Sequence, residues 1–160
     1  MRLALRSPLV RLATAIALAA PLPAMAALSC STSAQAVAFG NYDPLSALAT
    51  DSTGQVSVTC TNLINLFVNY TVDLSTGVSG TYASRQLASG ANRLNYNLYT
   101  DVTHLLVWGN GTSGTSHISA GFLVVLLGTT ANHTVYGRIP ARQTAAVGSY
   151  TDTITVTVTF

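Results

Sequence analysis

The chain contains no lysine and no glutamate. Its seven basic residues are all arginines and its five acidic residues all aspartates, so charge is carried by only 8% of its 160 positions. A chain this poor in cations has no basic stripe with which to neutralise phosphates, and that argues against a nucleic-acid partner. Cysteine is nearly as scarce. Cys30 and Cys60 are the only two and form no C-x-x-C unit, so the sequence carries no redox or zinc signature built on paired cysteines. The three histidines, His104, His117 and His133, have no H-x-x-x-H spacing and fall in or beside expected loops. There is no G-x-S-x-G, no carboxylate pair singled out by spacing, and no lysine after Gly109-Asn110-Gly111 to make a phosphate loop. No catalytic, metal or cofactor residues are assigned, and an enzyme is not expected. Helical periodicity is also missing beyond the first residues, which excludes a helical bundle.

What is present begins with a leader. Arg2, Arg6 and Arg11 form a positive region, Leu12–Leu22 a short apolar run, and Ala24-Met25-Ala26 a small-x-small cleavage site. Residues 1–26 are expected to be a secretory signal peptide, too short for a membrane span, and residues 27–160 a single domain with no integral membrane span. Removal of the leader takes three arginines with it. Arg85, Arg93, Arg138 and Arg142 then face Asp43, Asp51, Asp73, Asp101 and Asp152, a near balance of charge. A surface rich in Ser, Thr, Asn and Gly instead of charge suits an extracellular or assembled protein. After export, Cys30 and Cys60 meet an oxidising compartment, where two cysteines allow one intramolecular bridge.

The exported part reads as a succession of short strands. Alternation of apolar and polar residues marks 35–39, 55–60, 66–74 and 94–99, and 105–108 and 134–139 read as further short strands, the latter stopped by Pro140. Phe122–Leu127 is almost continuously apolar between glycines and reads as a strand buried on both faces. Ser75–Gly90 reads as loop, and Gly109-Asn110-Gly111-Thr112 as a hairpin turn. Seven or eight such strands argue for an all-β sandwich. Trp108, Tyr96, Tyr99 and Tyr136 fit either its core or, if exposed, a sugar-stacking surface. Tyr150 stands where a tyrosine corner would.

The clearest strand is the last. Ile154, Val156, Val158 and Phe160 alternate with Thr153, Thr155, Thr157 and Thr159. Two readings of Phe160 stand side by side. It can plug the end of its own sandwich, or the strand and its carboxylate can be a handle for another protein through strand addition.

Five ordered blocks carry a resemblance. Val37-Ala38-Phe39-Gly40-Asn41-Tyr42-Asp43-Pro44, Asn95-Tyr96-Asn97-Leu98-Tyr99-Thr100-Asp101, Val107-Trp108-Gly109-Asn110-Gly111-Thr112, Val135-Tyr136-Gly137-Arg138-Ile139-Pro140 and Gly148-Ser149-Tyr150-Thr151-Asp152-Thr153-Ile154 together resemble the spore coat protein U domain, a family that includes secreted pilins of archaic chaperone–usher systems. Cys30 and Cys60 sit where that family's bridge is expected. The resemblance implies an immunoglobulin-like β-sandwich lacking its last strand. It implies a groove bordered by Ile154, Val156, Val158 and Phe160 that receives first a periplasmic chaperone strand and then, at an outer-membrane usher, the strand of a neighbouring pilin subunit. It further implies a cell-surface role in adhesion or biofilm formation. One departure is evident. Only Ala27, Leu28 and Ser29 lie between the expected cleavage site and Cys30, too few to fill a groove, so a tip-like subunit that accepts a strand and donates none is expected. The alternative is a stand-alone secreted carbohydrate- or surface-binding module, with exposed aromatics around Trp108.

Overall fold

The computed structural model describes residues 28–62, 65–125 and 127–160. The expected leader, residues 1–26, and Leu126 of the expected run 122–127 lie outside the described residues. The described chain is all-β. Its strands are β1 (Ser29–Gln35), β2 (Thr50–Thr61), β3 (Leu66–Leu74), β4 (Arg85–Ser89), β5 (Asn92–Tyr99), β6 (Ile118–Val124), β7 (Thr129–Ile139) and β8 (Val156–Thr159). They form two layers of an immunoglobulin-like β-sandwich, a five-stranded sheet in the order β1-β2-β7-β5-β4 and a three-stranded sheet in the order β6-β3-β8.

Alternation decides which face each strand buries. In β2, Val56, Val58 and Cys60 point inward. In β3, Val68, Tyr70, Val72 and Leu74 do so, and in β5 Leu94, Tyr96 and Leu98. Each large apolar side chain so enclosed contributes about 1.5–3 kcal/mol. Trp108 is fully buried between the layers, its indole N–H donating to the Val72 carbonyl oxygen at 2.9 Å. A second buried group is a cation: Arg85, at the start of β4, occupies an inward position and is fully enclosed.

Cys30 and Cys60 are opposite residues in the β1–β2 ladder and are joined by a disulfide. Beyond β1 the chain leaves its sheet and runs across the inner face, where Val37 and Phe39 rest on two glycines. A Cβ on Gly54 would lie 2.6 Å from the Gln35 carbonyl oxygen and 2.9 Å from Val37 Cγ2. One on Gly137 would lie 2.7 Å from Val37 Cγ1 and 2.8 Å from Phe39 Cζ. Glycine at these two positions makes room for the crossing.

Several boundaries differ from expectation. The first strand is Ser29–Gln35, not 35–39; its composition is polar because it is an exposed edge with no apolar stripe to show. β4 falls within the expected loop, its most buried inward position being held by arginine and only Leu87 giving an apolar signal. The expected strand 105–108 is instead a loop, with single bridges at Tyr99–Val107 and Trp108–Ser116. The Asp101 carboxylate draws the Leu105 and Leu106 N–H groups into that loop, leaving both leucines exposed. The run 122–127 is not buried on both faces. Phe122 and Val124 turn inward, while Leu123 is half exposed and β6 ends at Val124.

Candidate functional site: a groove beside the last strand

The three-stranded sheet stops at β8 while the layer facing it has five strands, and an open groove of about 990 Å³ lies beside the shorter layer. Its floor is the sandwich core itself, including Val56, Leu74, Leu94, Leu98, Val135 and Ile139. One wall is the crossing segment from Ala34 to Tyr42, and the other is the run from Ala145 to Val156. The lining is predominantly apolar, with Asp152 as its carboxylate.

Both walls are pinned. On the second, Thr151 exchanges two backbone hydrogen bonds with Ala88 at the outer edge of β4, at 2.8 and 3.0 Å. The Ser75 N–H then donates to the Thr155 carbonyl at 3.0 Å, and the Thr155 N–H donates to the Ser75 hydroxyl at 2.9 Å. From Val156 onward the chain pairs antiparallel with β3, Val158 opposite Val72 and Val156 opposite Leu74. The last run therefore begins on one sheet and ends on the other. Asp152 anchors the change of sheet, accepting from the Val78 N–H at 2.9 Å and from the Tyr96 hydroxyl at 2.7 Å. Burial, reinforced by the adjacent Asp152 carboxylate, pushes the Tyr96 phenol far above its ordinary range, so it is a hydrogen-bond donor at all working pH values. Tyr150 turns back to donate to the Ala146 carbonyl at 3.0 Å, the geometry of a tyrosine corner. On the first wall, Tyr42 donates to the Pro140 carbonyl at 3.0 Å and accepts from the Gln143 N–H at 2.7 Å.

Of the residues singled out in the last strand, Ile154 and Val156 line the groove. Val158 is half-buried against the core beyond that lining, and the Phe160 side chain is 60% exposed and outside it. The opposite wall was not among the named site residues, although its block Val37–Pro44 was visible in sequence and Val37 and Phe39 alternate as a groove wall should. The aromatic residues do not gather into a platform: Trp108 and Tyr96 are buried. The histidines stand apart. His117 meets Asp73 at 3.0 Å, His133 meets the Tyr70 hydroxyl at 2.8 Å, and His104 packs edge-on to Tyr99. Among the described residues no cluster of three or more His, Cys or Asp side chains is placed to hold a metal ion. Chemically, the groove offers apolar pockets along a strand edge. That suits an extended chain bearing alternate apolar side chains, bound by main-chain pairing with β8 and by side-chain burial.

These features define an immunoglobulin-like β-sandwich with an open groove at its last strand. The chain belongs to the Spore Coat Protein U domain family, whose model matches residues 14–157. It is 38% identical over 131 residues to "Protein U" of Myxococcus xanthus, an alignment covering 76% of this chain and 70% of that protein. Its fold is similar, with a TM-score of 0.58 and 25% identity, to a chain of the CsuC–CsuE chaperone–tip adhesion subunit pre-assembly complex from the archaic chaperone–usher Csu pili of Acinetobacter baumannii. That similarity covers 84% of this chain and 40% of the solved one.

Proposed function

We propose that this protein is an exported structural subunit of a chaperone–usher type pilus or surface coat, assembled by donor-strand complementation. The observation that carries the reading is the groove between the Ala34–Tyr42 and Ala145–Val156 walls, which runs over the sandwich core beside the edge of a three-stranded sheet. An edge of this kind is a hazard when bare and a binding site when another strand occupies it. Residues 1–26 serve as the cleaved leader. A periplasmic chaperone supplies the first strand, and a neighbouring subunit replaces it at an outer-membrane usher. Because Cys30 is tied to Cys60, the residues from Ala27 to Ser29 are too few to span a groove. The subunit therefore accepts a strand without giving one, a tip-like position on the cell surface that suits adhesion or biofilm formation. The similarity to a complex described as chaperone with tip adhesion subunit supports this order of events. The reading as a stand-alone sugar-binding module loses its main feature, since the Trp108 ring is enclosed in the core.

The test is purification of the tagged protein from the periplasm of its own host, as wild type and as Ile154→Asp and Val156→Asp. A one-to-one immunoglobulin-like chaperone retained by wild type and lost from both variants is the expected result. A lone, stable wild-type monomer, unchanged by either substitution, would mean that the groove receives no strand, and the assembly reading would be abandoned.

A further inference from the structure

The two sheets have outer edges besides the groove, and they differ in how they are protected. The outer edge of β4 is taken by Thr151, which exchanges two backbone hydrogen bonds with Ala88. The outer edge of β1 has no such partner among the described residues. β1 reads Ser29-Cys30-Ser31-Thr32-Ser33-Ala34-Gln35, exposed along most of its length. Its register with β2 is unbroken from Ser29 opposite Thr61 to Gln35 opposite Gln55. It therefore has none of the devices that usually blunt an edge: no charge, no proline and no bulge.

Its register also fixes which backbone groups face outward. Cys30 and Cys60 stand opposite each other with 4.0 Å between their Cα atoms, the close spacing of a non-hydrogen-bonded pair. In an antiparallel ladder the residues of such pairs turn their N–H and C=O away from the partner strand. By alternation, Cys30, Thr32 and Ala34 present three donors and three acceptors to the open side, and Ser31, Ser33 and Gln35 are bonded to β2. This set is self-complementary. A two-fold axis through Thr32 places Thr32 of one copy opposite Thr32 of the other, and Cys30 opposite Ala34, with about six hydrogen bonds. The side chains beside the junction are Ser31 and Ser33, small and uncharged. The rows behind them are Thr59 bonded to Thr130 at 2.8 Å and Ser57 bonded to Asn132 at 2.7 Å, also uncharged, so no like charges oppose one another across the joint.

We infer that β1 is a self-association edge, through which two copies of this chain pair antiparallel to join their five-stranded sheets into one continuous sheet. The joint uses the outer backbone edge of β1, adjoins the groove only at Ala34 and Gln35, and does not rest on the donor-strand reading. It closes at two copies, whereas a strand passed from subunit to subunit builds an open series. In an assembled coat or fibre it would link neighbours sideways.

The test is the molar mass of the exported protein by light scattering across a concentration series, counted in copies of this chain whatever companion it carries. Thr32→Pro removes a donor that faces away from β2, so the β1–β2 ladder is kept while the joint is blocked. Thr32→Lys places two cations at the two-fold axis and leaves the backbone unchanged. Two copies in wild type and one in both variants is the expected result, with at least a tenfold weaker association, while Ile154→Asp still pairs. A wild type that stays single up to its solubility limit would overturn the inference. So would association unchanged in both Thr32 variants, and association lost only in Ile154→Asp would assign it to the groove instead.

Discussion

The Arg85 guanidinium donates to the Trp108 carbonyl oxygen at 2.7 Å in the interior of the sandwich. The same side chain donates to the Ser75 carbonyl through Nε at 3.0 Å and Nη2 at 2.8 Å, and to Asn97 Oδ1 through Nη1 at 2.8 Å. Its partners are neutral oxygens, not a carboxylate, and burial lowers its pKa from the ordinary arginine value. The fork geometry of arginine lets one side chain satisfy three buried acceptors drawn from three parts of the chain.

Removing it leaves the Ser75 and Trp108 carbonyls without that donor, while Asn97 Oδ1 keeps only the Leu98 N–H at 3.1 Å. Arg85→Ala is expected to lower stability by about 2–6 kcal/mol, at roughly 1–3 kcal/mol for each of the two carbonyls left unpaired. Arg85→Lys should recover only part of this, because an ammonium on a flexible stem cannot reproduce the planar fork. Urea unfolding of the three proteins measures both differences. A lysine variant equal to wild type would show that charge, and not geometry, holds the site.

The crossing segment yields a second expectation. Gly137→Ala sets a methyl group 2.7 Å from Val37 Cγ1 and 2.8 Å from Phe39 Cζ. Overpacking of this kind is expected to lower stability by about 1–3 kcal/mol. Because the clash is with one wall of the groove, Phe39→Leu in the same chain should restore part of the loss, a coupling that a double-mutant cycle on thermal unfolding detects. Additive effects would mean that the wall shifts without strain.

These two sites also mark what could be read in advance. β3 and β5 alternate apolar and polar residues because one face is buried and the other is wet, so their periodicity was plain in the sequence. The alternation of Ile154 and Val156 was legible for the same reason, while their place beside a groove came only from the family resemblance. β4 was hidden because arginine stands where an apolar residue would have revealed the inward face, and β1 because an uncovered edge needs no apolar stripe. The loop at Val102–Leu106 misled in the opposite direction. Its leucines suggest a strand, but the Asp101 carboxylate takes the Leu106 N–H at 2.7 Å and the turn prevails. Pairing of charges between distant elements, such as Asp51 with Arg138, has no local signal at all.

That last pair sets a pH dependence. Arg138 donates through Nε and Nη2 to the two Asp51 carboxylate oxygens, each at 2.7 Å. The hydrogen bond from Arg138 is the main reason that the Asp51 carboxyl titrates below its ordinary value. A folded pKa below the unfolded one means that the native state binds protons less readily. The contribution is therefore present above the unfolded value, near pH 4, and is lost as pH falls through the folded one. Both side chains are more than a third exposed, so solvent screening limits the pair to about 0.2–1 kcal/mol. Wild type should exceed Asp51→Asn by that margin at pH 7 in low salt, and the margin should shrink progressively as pH falls below about 4 and in concentrated salt. An advantage that does not change as the pH falls would have to come from packing.

The disulfide offers the strongest test of how β1 is held. Cys30 and Cys60 are 30 residues apart in sequence, and closing a loop of that length stabilises the fold by on the order of 3–4 kcal/mol in the chain-entropy description. β1 touches the rest of the protein chiefly through its ladder with β2, and most of its side chains are exposed. Without the bridge, little apolar burial keeps it in place. Replacing both cysteines by serine is therefore expected to lower overall stability by about that amount. Beyond this, β1 should open locally before the rest of the sandwich, since segments with few buried contacts sit at the low end of local stability. Amide hydrogen exchange distinguishes the two effects. Protection should fall in Ser31, Ser33 and Gln35, whose N–H groups face β2, by a larger factor than in Val68, Tyr70 and Val72 of β3. A uniform loss of protection across both strands would instead assign the bridge a purely global role.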